Sequence, residues 1–299
     1  MLSLIARAKT IAFQGEPGAY ANLAAREAVP HAAAIPKSTF GDALDAVKSG
    51  GTDLAIVPVE NSVYGRIADT HLLVRHFGRA VKGQASQGKN DLFILGEHFH
   101  RVRHQLLGLK GASLVGVKEV FSQRPALGQC TRAVKMLGLV EREWSDTAGA
   151  ARHVAEMKDP KAAAIASALA GELYGLEILK ADIEDETHNM TRFLIVGGEA
   201  EDAPNDGRPV ITTLLFRVRN IPAALYKALG GFATNAVNMT KLESYQLGGS
   251  FNATEFYADI EGHPDQPPVR RALEELQYFS SRLTILGVYP AHPFRAEMP

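Results

Sequence analysis

Three short segments of the chain gather polar side chains in patterns that a protein core would not use. Val57-Pro58-Val59-Glu60-Asn61-Ser62-Val63-Tyr64-Gly65-Arg66 sets a carboxylate, an amide and a hydroxyl side by side, a set that can both donate to and accept from a small polar ligand. The same triplet is also the composition of a solvated turn or a helix cap. Val120-Phe121-Ser122-Gln123-Arg124-Pro125-Ala126-Leu127-Gly128-Gln129-Cys130 runs from a strand end into a helix. Ser122 could cap that helix, whose N-terminus would offer unpaired N–H groups and positive partial charge to a carboxylate; a plain capped helix would read the same way. His188-Asn189-Met190-Thr191-Arg192-Phe193 leads into Leu194-Ile195-Val196, placing a hydroxyl and a guanidinium at a strand entrance, where ordinary edge residues also occur. Of the ten histidines only His98, His100 and His104 cluster, beside Glu97. On a surface segment they read as solvated side chains rather than as a zinc site, which wants fixed ligand geometry.

The elements that must position these residues show in the periodicity. Ile11 to Phe13, Leu54 to Val57, Leu92 to Leu95, Leu114 to Val117, Ala163 to Ile165 and Phe193 to Val196 are short apolar runs that read as strands. Between them, apolar residues three or four apart mark helices: Phe40, Ala43, Leu44, Val47 before Gly50, and Leu127, Cys130, Val134, Leu137 before Gly138. Alternating strands and helices predict an α/β unit with a largely parallel sheet, and in such sheets ligands bind where strand ends and loops gather. Cys130 lies on the buried face of its helix, as a small core residue.

Gly197 to Pro209 is rich in Gly, Pro and acids and has no periodicity, so it reads as a linker. Beyond it Val210, Thr212, Leu214, Phe216 and Val218 alternate with Ile211, Thr213, Leu215 and Arg217, as in a strand half-buried on one face. Pro222 opens a helix with Leu225, Leu229 and Phe232 as its stripe. Strands Val237 to Leu242 and Phe251 to Ile260 follow, joined across Gly248-Gly249, the second turning Thr254, Phe256, Ala258 and Ile260 inward. A helix from Pro268 to Phe279 and a strand from Leu283 to Val288 complete a β-α-β-β-α-β order. That order is the ferredoxin-like motif, which leaves one sheet face bare of helices and an edge open to another copy.

The chain has 299 residues, 46% apolar and 22% charged, with Lys+Arg 32 against Asp+Glu 33. This length fits two or three units of about 100–150 residues each. The near-neutral balance argues against nucleic acid or a membrane surface as partner, and no run approaches a membrane span. One cysteine excludes an intrachain disulfide and any zinc site built on paired thiolates. Met1 to Lys9 lacks the apolar core of an export signal, so a cytoplasmic location is expected.

Taken in order, these segments resemble the prephenate dehydratase family over nearly the whole chain, from Thr10 to Pro293. Gly15-Glu16-Pro17-Gly18-Ala19-Tyr20 matches the family's opening Gly-rich turn, Val57 to Ser62 its Pro-Ile-Glu-Asn-Ser signature, and Asn189 to Phe193 its Thr-Arg-Phe hallmark. The C-terminal part resembles the ACT module. There Asn220-Ile221-Pro222-Ala223-Ala224-Leu225 stands at the Gly-Ala-Leu-Val type turn, and Leu242-Glu243-Ser244-Tyr245-Gln246 at Glu-Ser-Arg-Pro. The family's Ser-His-Pro-Gln-Ala-Leu-Ala-Gln-Cys is here Ser122 to Cys130 without the histidine, and Tyr245-Gln246 replaces Arg-Pro. The first strand begins almost at the N-terminus, so a chorismate mutase domain in front, as some relatives carry, is not expected.

The resemblance implies a catalytic part, residues 10–197, of two α/β lobes of the periplasmic-binding-protein kind: lobe one 10–85 and 180–197, lobe two 86–179. A linker, 198–209, and an ACT regulatory domain, 210–293, follow. The reaction implied is loss of carbon dioxide and water from prephenate to give phenylpyruvate, driven by aromatisation and needing no metal, cofactor or covalent intermediate. Thr191 would protonate, or relay a proton to, the leaving hydroxyl, with Glu60 as its helper. Asn61, Ser62, Ser122, Gln129, Arg192, Phe193 and N–H groups near Gly15 would hold the substrate. Phenylalanine would act as feedback effector at an interface between ACT modules, on Asn220, Pro222, Ala223, Ala224, Leu225, Asn238, Glu243 and Ser244, in a homodimer or homotetramer. The alternatives are arogenate dehydratase or a dual-specificity enzyme, a non-catalytic two-lobed solute-binding protein, and an ACT-bearing transcriptional regulator.

Overall fold

A computed structural model describes residues 2–81, 92–219, 221–246 and 253–297. Along the chain the first elements are α1 (Ser3–Arg7), β1 (Thr10–Gln14), α2 (Tyr20–Ala28), β2 (Ala33–Lys37), α3 (Phe40–Lys48), β3 (Leu54–Asn61), β4 (Gly65–Arg66), α4 (Ala68–Val74), β5 (Arg79–Ala80) and β6 (Phe93–Arg101). There follow β7 (Gln105–Leu109), β8 (Glu119–Ser122), α5 (Arg124–Gly128), α6 (Thr131–Met136), β9 (Val140–Glu143), α7 (Thr147–Met157), β10 (Ala162–Ala166), α8 (Ala168–Tyr174), β11 (Leu176–Lys180) and β12 (Met190–Gly197). The last are β13 (Val210–Val218), α9 (Ala224–Thr234), β14 (Met239–Gln246), β15 (Ala253–Glu261), α10 (Pro267–Phe279) and β16 (Ser280–Pro290). Two compact units result, one of Lys9–Thr70 with His98–Phe193, the other of Met1–Ala8, His71–Glu97 and Leu194–Pro299.

Two sheets run through residues 10–197. One has the order β2-β1-β3-β12-β6, with β4 against β3, and β1 runs parallel to both β2 and β3. Ile11, Ala12 and Phe13 are sealed from solvent, as a central parallel strand covered on both faces should be. The other sheet has the order β11-β7-β10-β8-β9, and its centre, Ala162–Ala166, is buried at every position. Small residues let helices lie close on both sides. Ala148, Ala150, Ala151 and Val154 of α7 pack on one face, and Ala126, Leu127, Ala133 and Val134 of α5 and α6 on the other.

Three expectations for this part are corrected. Leu114–Gly116 forms a 3-10 turn and the strand comes later, at Glu119–Ser122; Val115 is exposed, so that apolar run never enters the sheet. The helix expected through Leu127 and Leu137 breaks between α5 and α6, with Gln129 and Cys130 at the break. β6, assigned to lobe two by its place in the chain, joins the sheet of β1 and β3, because periodicity identifies a strand but not its neighbours.

In the second unit the sheet order is β14-β15-β13-β16-β5, and β13 pairs antiparallel with β15 and β16. Helices α9 and α10 cover one face, closing Leu214, Phe216, Phe232, Leu273 and Leu276 into a core. The βαββαβ order is thus present, with two differences. β13 is buried on both faces rather than one: on the helix-free side a Cβ at Gly287 would lie 2.1 Å from the Ile94 carbonyl, so that face is covered by the segment around Ile94. The β16 edge is covered too, through Thr284 opposite Ala80 and Ile285 opposite Arg79, which leaves β14 as the outer strand. α9 begins at Ala224, two residues after Pro222, with Ala223 as its cap in the left-handed region at φ 62°. Residues 198–209 form no helix or strand, yet Glu201 accepts from the N–H groups of Ser3 and Leu4, and Ala203 donates to Val288. The Gly248-Gly249 connection and the start of its strand lie outside the described residues. Among the described residues no helix is long and apolar enough to cross a membrane.

Candidate active site

The first unit holds a cavity of about 350 Å³, the scale of a small-metabolite site. Its wall is made where elements end. β3 ends in Asn61, β12 begins with Met190-Thr191, α2 begins with Tyr20, β7 is preceded by His104, and Gln129 sits in the break between α5 and α6. That helix break has a use: it turns the Gln129 amide inward while Cys130 beside it stays in the core, its thiol pushed up by burial and by Asp185 and Glu184.

These side chains form one hydrogen-bonded run. Asn61 Nδ2 donates to Thr191 Oγ1 at 3.0 Å and to Asn189 Oδ1 at 2.7 Å. Asn61 Oδ1 accepts from the N–H groups of Val63 and Tyr64, which fixes the amide's orientation. Asn189 Nδ2 donates to Gln129 Oε1 at 3.0 Å, and His104 Nε2 approaches the same oxygen at 2.6 Å. On its far side His104 Nδ1 meets the Tyr20 hydroxyl at 2.8 Å. Gln129 Oε1 can only accept, so His104 Nε2 carries the proton and Nδ1 is a bare acceptor; the one Tyr20 proton is divided between it and the Arg103 carbonyl at 2.9 Å. Burial pushes His104 below the usual imidazole range, outweighing its bond to Gln129 and the pull of Glu184. Burial likewise pushes the Tyr20 phenol well above its ordinary value. The run is therefore neutral at pH 7, a set of fixed dipoles rather than a string of charges.

Cationic and partial positive charge comes from elsewhere on the wall. Arg66 lines the cavity, and the first turns of α2 and α7 open on it at Tyr20, Ala21 and Thr147. The leading N–H groups of a helix have no intrahelical partner and favour an anion. Asp146, the cap of α7, adds a carboxylate to the same wall and accepts from the Gly149 N–H at 2.8 Å.

Outside the cavity wall, further bonds tie the loop after β1 to α7 and α8. Arg152 of α7 grips Glu16 with two bonds of 2.7 Å, the bidentate form of a charge-assisted pair, and holds the Glu16 carboxyl below its usual range. Ser167 donates to the Gly18 carbonyl at 2.5 Å. Gly18, at φ 93°, sits where a Cβ would fall 2.8 Å from the Ala170 backbone. Tyr64 lies against Gly128, where a Cβ would come within 2.1 Å of its hydroxyl.

Of the residues singled out from the sequence, Gly15, Asn61, Gln129, Thr191 and Phe193 line the cavity. The Gly15 N–H is already given to the Lys37 carbonyl, so it is not a free donor there. Ser122 is sealed in the core and donates to the Ile165 carbonyl at 2.7 Å; the last residue of β8 faces β10, and the helix after it is capped at Gln123 without a side-chain bond. Ser62 stands outside the cavity, closing a turn with the His188 carbonyl and the Met190 N–H. Arg192 alternates away from Thr191 and is buried. Glu60 is half-buried, directly across the β3–β4 pair from Arg66. Asp146 was not read from the sequence, and Tyr20, Arg66, His104 and Asn189, though they stand in segments singled out there, were given no role in the site. The reading of the histidines as one solvated cluster fails: His100 and His104 are buried, only His104 enters this site, and Glu97 pairs with Arg295.

In the second unit Asn238 and Ser244 are exposed, Glu243 pairs with Lys241 at 3.0 Å, and Pro222 to Leu225 form the turn into α9. Asn220 lies outside the described residues.

Residues 11–201 match the family model of prephenate dehydratase. A protein of Komagataeibacter europaeus described as a bifunctional N-acyl-homoserine lactone acylase/prephenate dehydratase is 49% identical, over 96% of this chain and 98% of that one. An Arabidopsis thaliana protein described as arogenate dehydratase/prephenate dehydratase 2 is 36% identical, over 94% of this chain and 72% of its own. A solved structure described as the prephenate dehydratase of Arthrobacter aurescens in complex with L-Phe superposes with TM-score 0.82 at 28% identity, over 94% of this chain and 90% of that one.

Proposed function

The chain belongs to the prephenate dehydratase family, and we propose that it converts prephenate to phenylpyruvate, water and carbon dioxide on the way to L-phenylalanine. The observation that carries this is the Asn61–Thr191 bond on the cavity wall. Prephenate is a dianion. As its ring carboxylate leaves as carbon dioxide, the C–C bonding pair enters the ring, the C–O bond breaks, and the departing hydroxide needs one proton to become water. Because Asn61 occupies a lone pair of the Thr191 oxygen, the Thr191 proton is the one presented to that hydroxyl. A threonine hydroxyl is a poor acid, so the proton must be restored. Glu60, across from Arg66, is the proposed reservoir. Arg66 and the first turn of α2 receive the carboxylates, while Gln129, His104 and Tyr20 orient them through neutral bonds and Asn189 holds Asn61 and Gln129 in place. Aromatisation supplies the driving force, and positioning with one placed donor supplies the acceleration.

A second reading, arogenate as substrate, rests on Asp146. Arogenate carries an ammonium where prephenate carries a ketone, and Asp146 is a carboxylate on the cavity wall. The test is to mix purified protein with prephenate and with arogenate and follow the ultraviolet absorbance of the aromatic product. No product from either would sink both readings. An N-acyl-homoserine lactone, named for the Komagataeibacter europaeus relative, is offered in parallel; its cleavage would add an activity without replacing the first.

In this proposal residues 10–197 are the catalytic part and 210–293 an ACT module that binds phenylalanine on Pro222 to Leu225, Asn238, Glu243 and Ser244. Support comes from the βαββαβ order and from the L-Phe named for the Arthrobacter aurescens structure. Ile221, Tyr226, Leu242 and Tyr278 are exposed apolar side chains in the same unit, which favours pairing with a second copy.

A further inference from the structure

His98 and His100 are two residues apart on β6, so both side chains leave the same face of the strand. Glu27, in the last turn of α2, meets them there. Its Oε2 is 2.9 Å from His98 Nε2 and 2.9 Å from His100 Nδ1, and the three ligand atoms all lie within 4.8 Å of one another. Two imidazole nitrogens and one carboxylate oxygen are the donor set of an open zinc site. Bonds of about 2.0–2.1 Å in tetrahedral geometry set ligand atoms about 3.3 Å apart, so each nitrogen needs to draw back from the Glu27 oxygen by only a few tenths of an ångström.

The surroundings of the cluster suit a ligand. The His100 ring is turned so that Nδ1 faces the cluster, which leaves its Nε2 buried with no hydrogen-bond partner. The Glu27 carboxylate only accepts, so the proton of neutral His100 sits on Nδ1 and its orphaned Nε2 is a bare lone pair; zinc at Nδ1 would move that proton to Nε2, a cost that the bonds to all three ligands must offset. The imidazoles are sheltered, at 14% and 7% side-chain exposure, while Glu27 is open at 47%. A cavity of about 510 Å³, lined by Glu27 and His100, leaves room for a fourth ligand.

We propose that Glu27, His98 and His100 bind one Zn²⁺, with the fourth position open to water or a small anion. None of the three lines the cavity of Thr191 and Asn61. The metal would brace the last turn of α2 against β6, and the first turn of the same helix carries Tyr20, whose ring lies 5.9 Å from that of His100. The site is therefore a brace beside the reaction centre rather than part of it.

The test uses the full chain, stripped with a chelator and then titrated with Zn²⁺ by calorimetry and with Co²⁺ by visible absorption. One equivalent is expected, with the intense d–d band of low-coordinate cobalt, and the thermal midpoint should rise with zinc as for any ligand of the native state. Glu27→Gln and His98→Ala should each weaken binding by about tenfold or more, while His31→Ala, at an exposed histidine elsewhere, leaves it unchanged. Should His98→Ala fail to fold, the isosteric Glu27→Gln carries the test. No uptake by the unaltered protein, or uptake undiminished in Glu27→Gln, overturns the proposal.

Discussion

Asn61 and Thr191 lie 130 residues apart in sequence, yet the side-chain amide of the first donates to the hydroxyl of the second at 3.0 Å. The bond leaves the threonine proton as the only one that the pair can offer to the cavity. Thr191→Ala should lower kcat on prephenate by about a hundredfold, the scale of a removed positioned donor, with far-UV circular dichroism unchanged; Thr191→Ser should retain most of the rate. Wild-type turnover in the alanine variant would remove Thr191 from the reaction.

Glu60 and Asp146 separate by substrate and by pH. If Glu60 restores the proton, Glu60→Gln slows turnover on either substrate, most at high pH where the supply from solvent is poorest. If Asp146 meets an ammonium, Asp146→Asn lowers kcat/KM for arogenate about tenfold or more, on the scale of a charge-assisted hydrogen bond, and leaves prephenate less affected. Equal losses on both substrates would deny Asp146 that role.

His104 should act by orientation alone. Its pKa is pushed down by burial, so its protonation can contribute to a pH–rate profile only below the ordinary imidazole value of 6.5. His104→Gln is expected to lower kcat/KM about tenfold, the low end of losses from misplaced supporting bonds, without moving the profile above that pH. A variant that shifts a limb near neutrality would show His104 to be a proton carrier.

The site was half legible in the sequence, and the division has a physical cause. Asn61, Gln129 and Thr191 stand in segments whose polar density exceeds what a strand or helix needs, and they line the cavity. Tyr20 and His104 gave no such signal: a tyrosine opening a helix and a histidine before an apolar strand are common, and only the fold sets their rings 5.3 Å apart. Ser122 misled because a hydroxyl at a strand end reads alike whether it meets a ligand or, as here, the Ile165 carbonyl. In the second unit the alternation of β13 suggested one wet face. Its polar positions Thr212 and Thr213 instead find partners indoors, on the Gly262 carbonyl and on Asp259 with Tyr289, so a period of two survives in a strand that is buried throughout.

The Glu16–Arg152 grip should be visible in stability as a function of pH. Arg152 lowers the Glu16 carboxyl below its ordinary value of 4.5, so its contribution is present in full above that value and disappears as acid takes the pH through the depressed folded value. Denaturant midpoints of the unaltered protein and of Glu16→Gln should differ by a constant amount near neutrality and converge on acidification below 4.5. A gap that stays constant into acid would mean that the pair contributes through packing, not charge.

The turn into α9 carries the last expectation. Ala223 holds φ 62°, a conformation that costs an L-residue about 1–2 kcal/mol and glycine almost nothing, at the place where relatives are expected to show glycine. Ala223→Gly should therefore raise stability by up to about 1 kcal/mol after the extra chain entropy of glycine is subtracted, read as a higher thermal midpoint of the whole protein. If this turn also holds phenylalanine through its backbone, the relaxed variant should bind the amino acid at least as tightly. The whole chain is needed for the measurement, because the helix-free face of this sheet is covered by the segment around Ile94 and an excised 210–293 would expose it. Calorimetric titration with phenylalanine, alone and with a substrate analogue present, should show affinities that differ by the factor that phenylalanine imposes on substrate binding, on the order of 1–3 kcal/mol of coupling. Along β14, Glu243 and Tyr245 point to one face and Ser244 to the other, and Tyr245 is held by His71. Glu243 and Ser244 therefore cannot both grip one ligand within a single copy, and binding should be tighter in the dimer than in dilute monomer. Absence of heat, of inhibition and of any change in assembly at millimolar phenylalanine would show that this ferredoxin-like unit does not sense that amino acid.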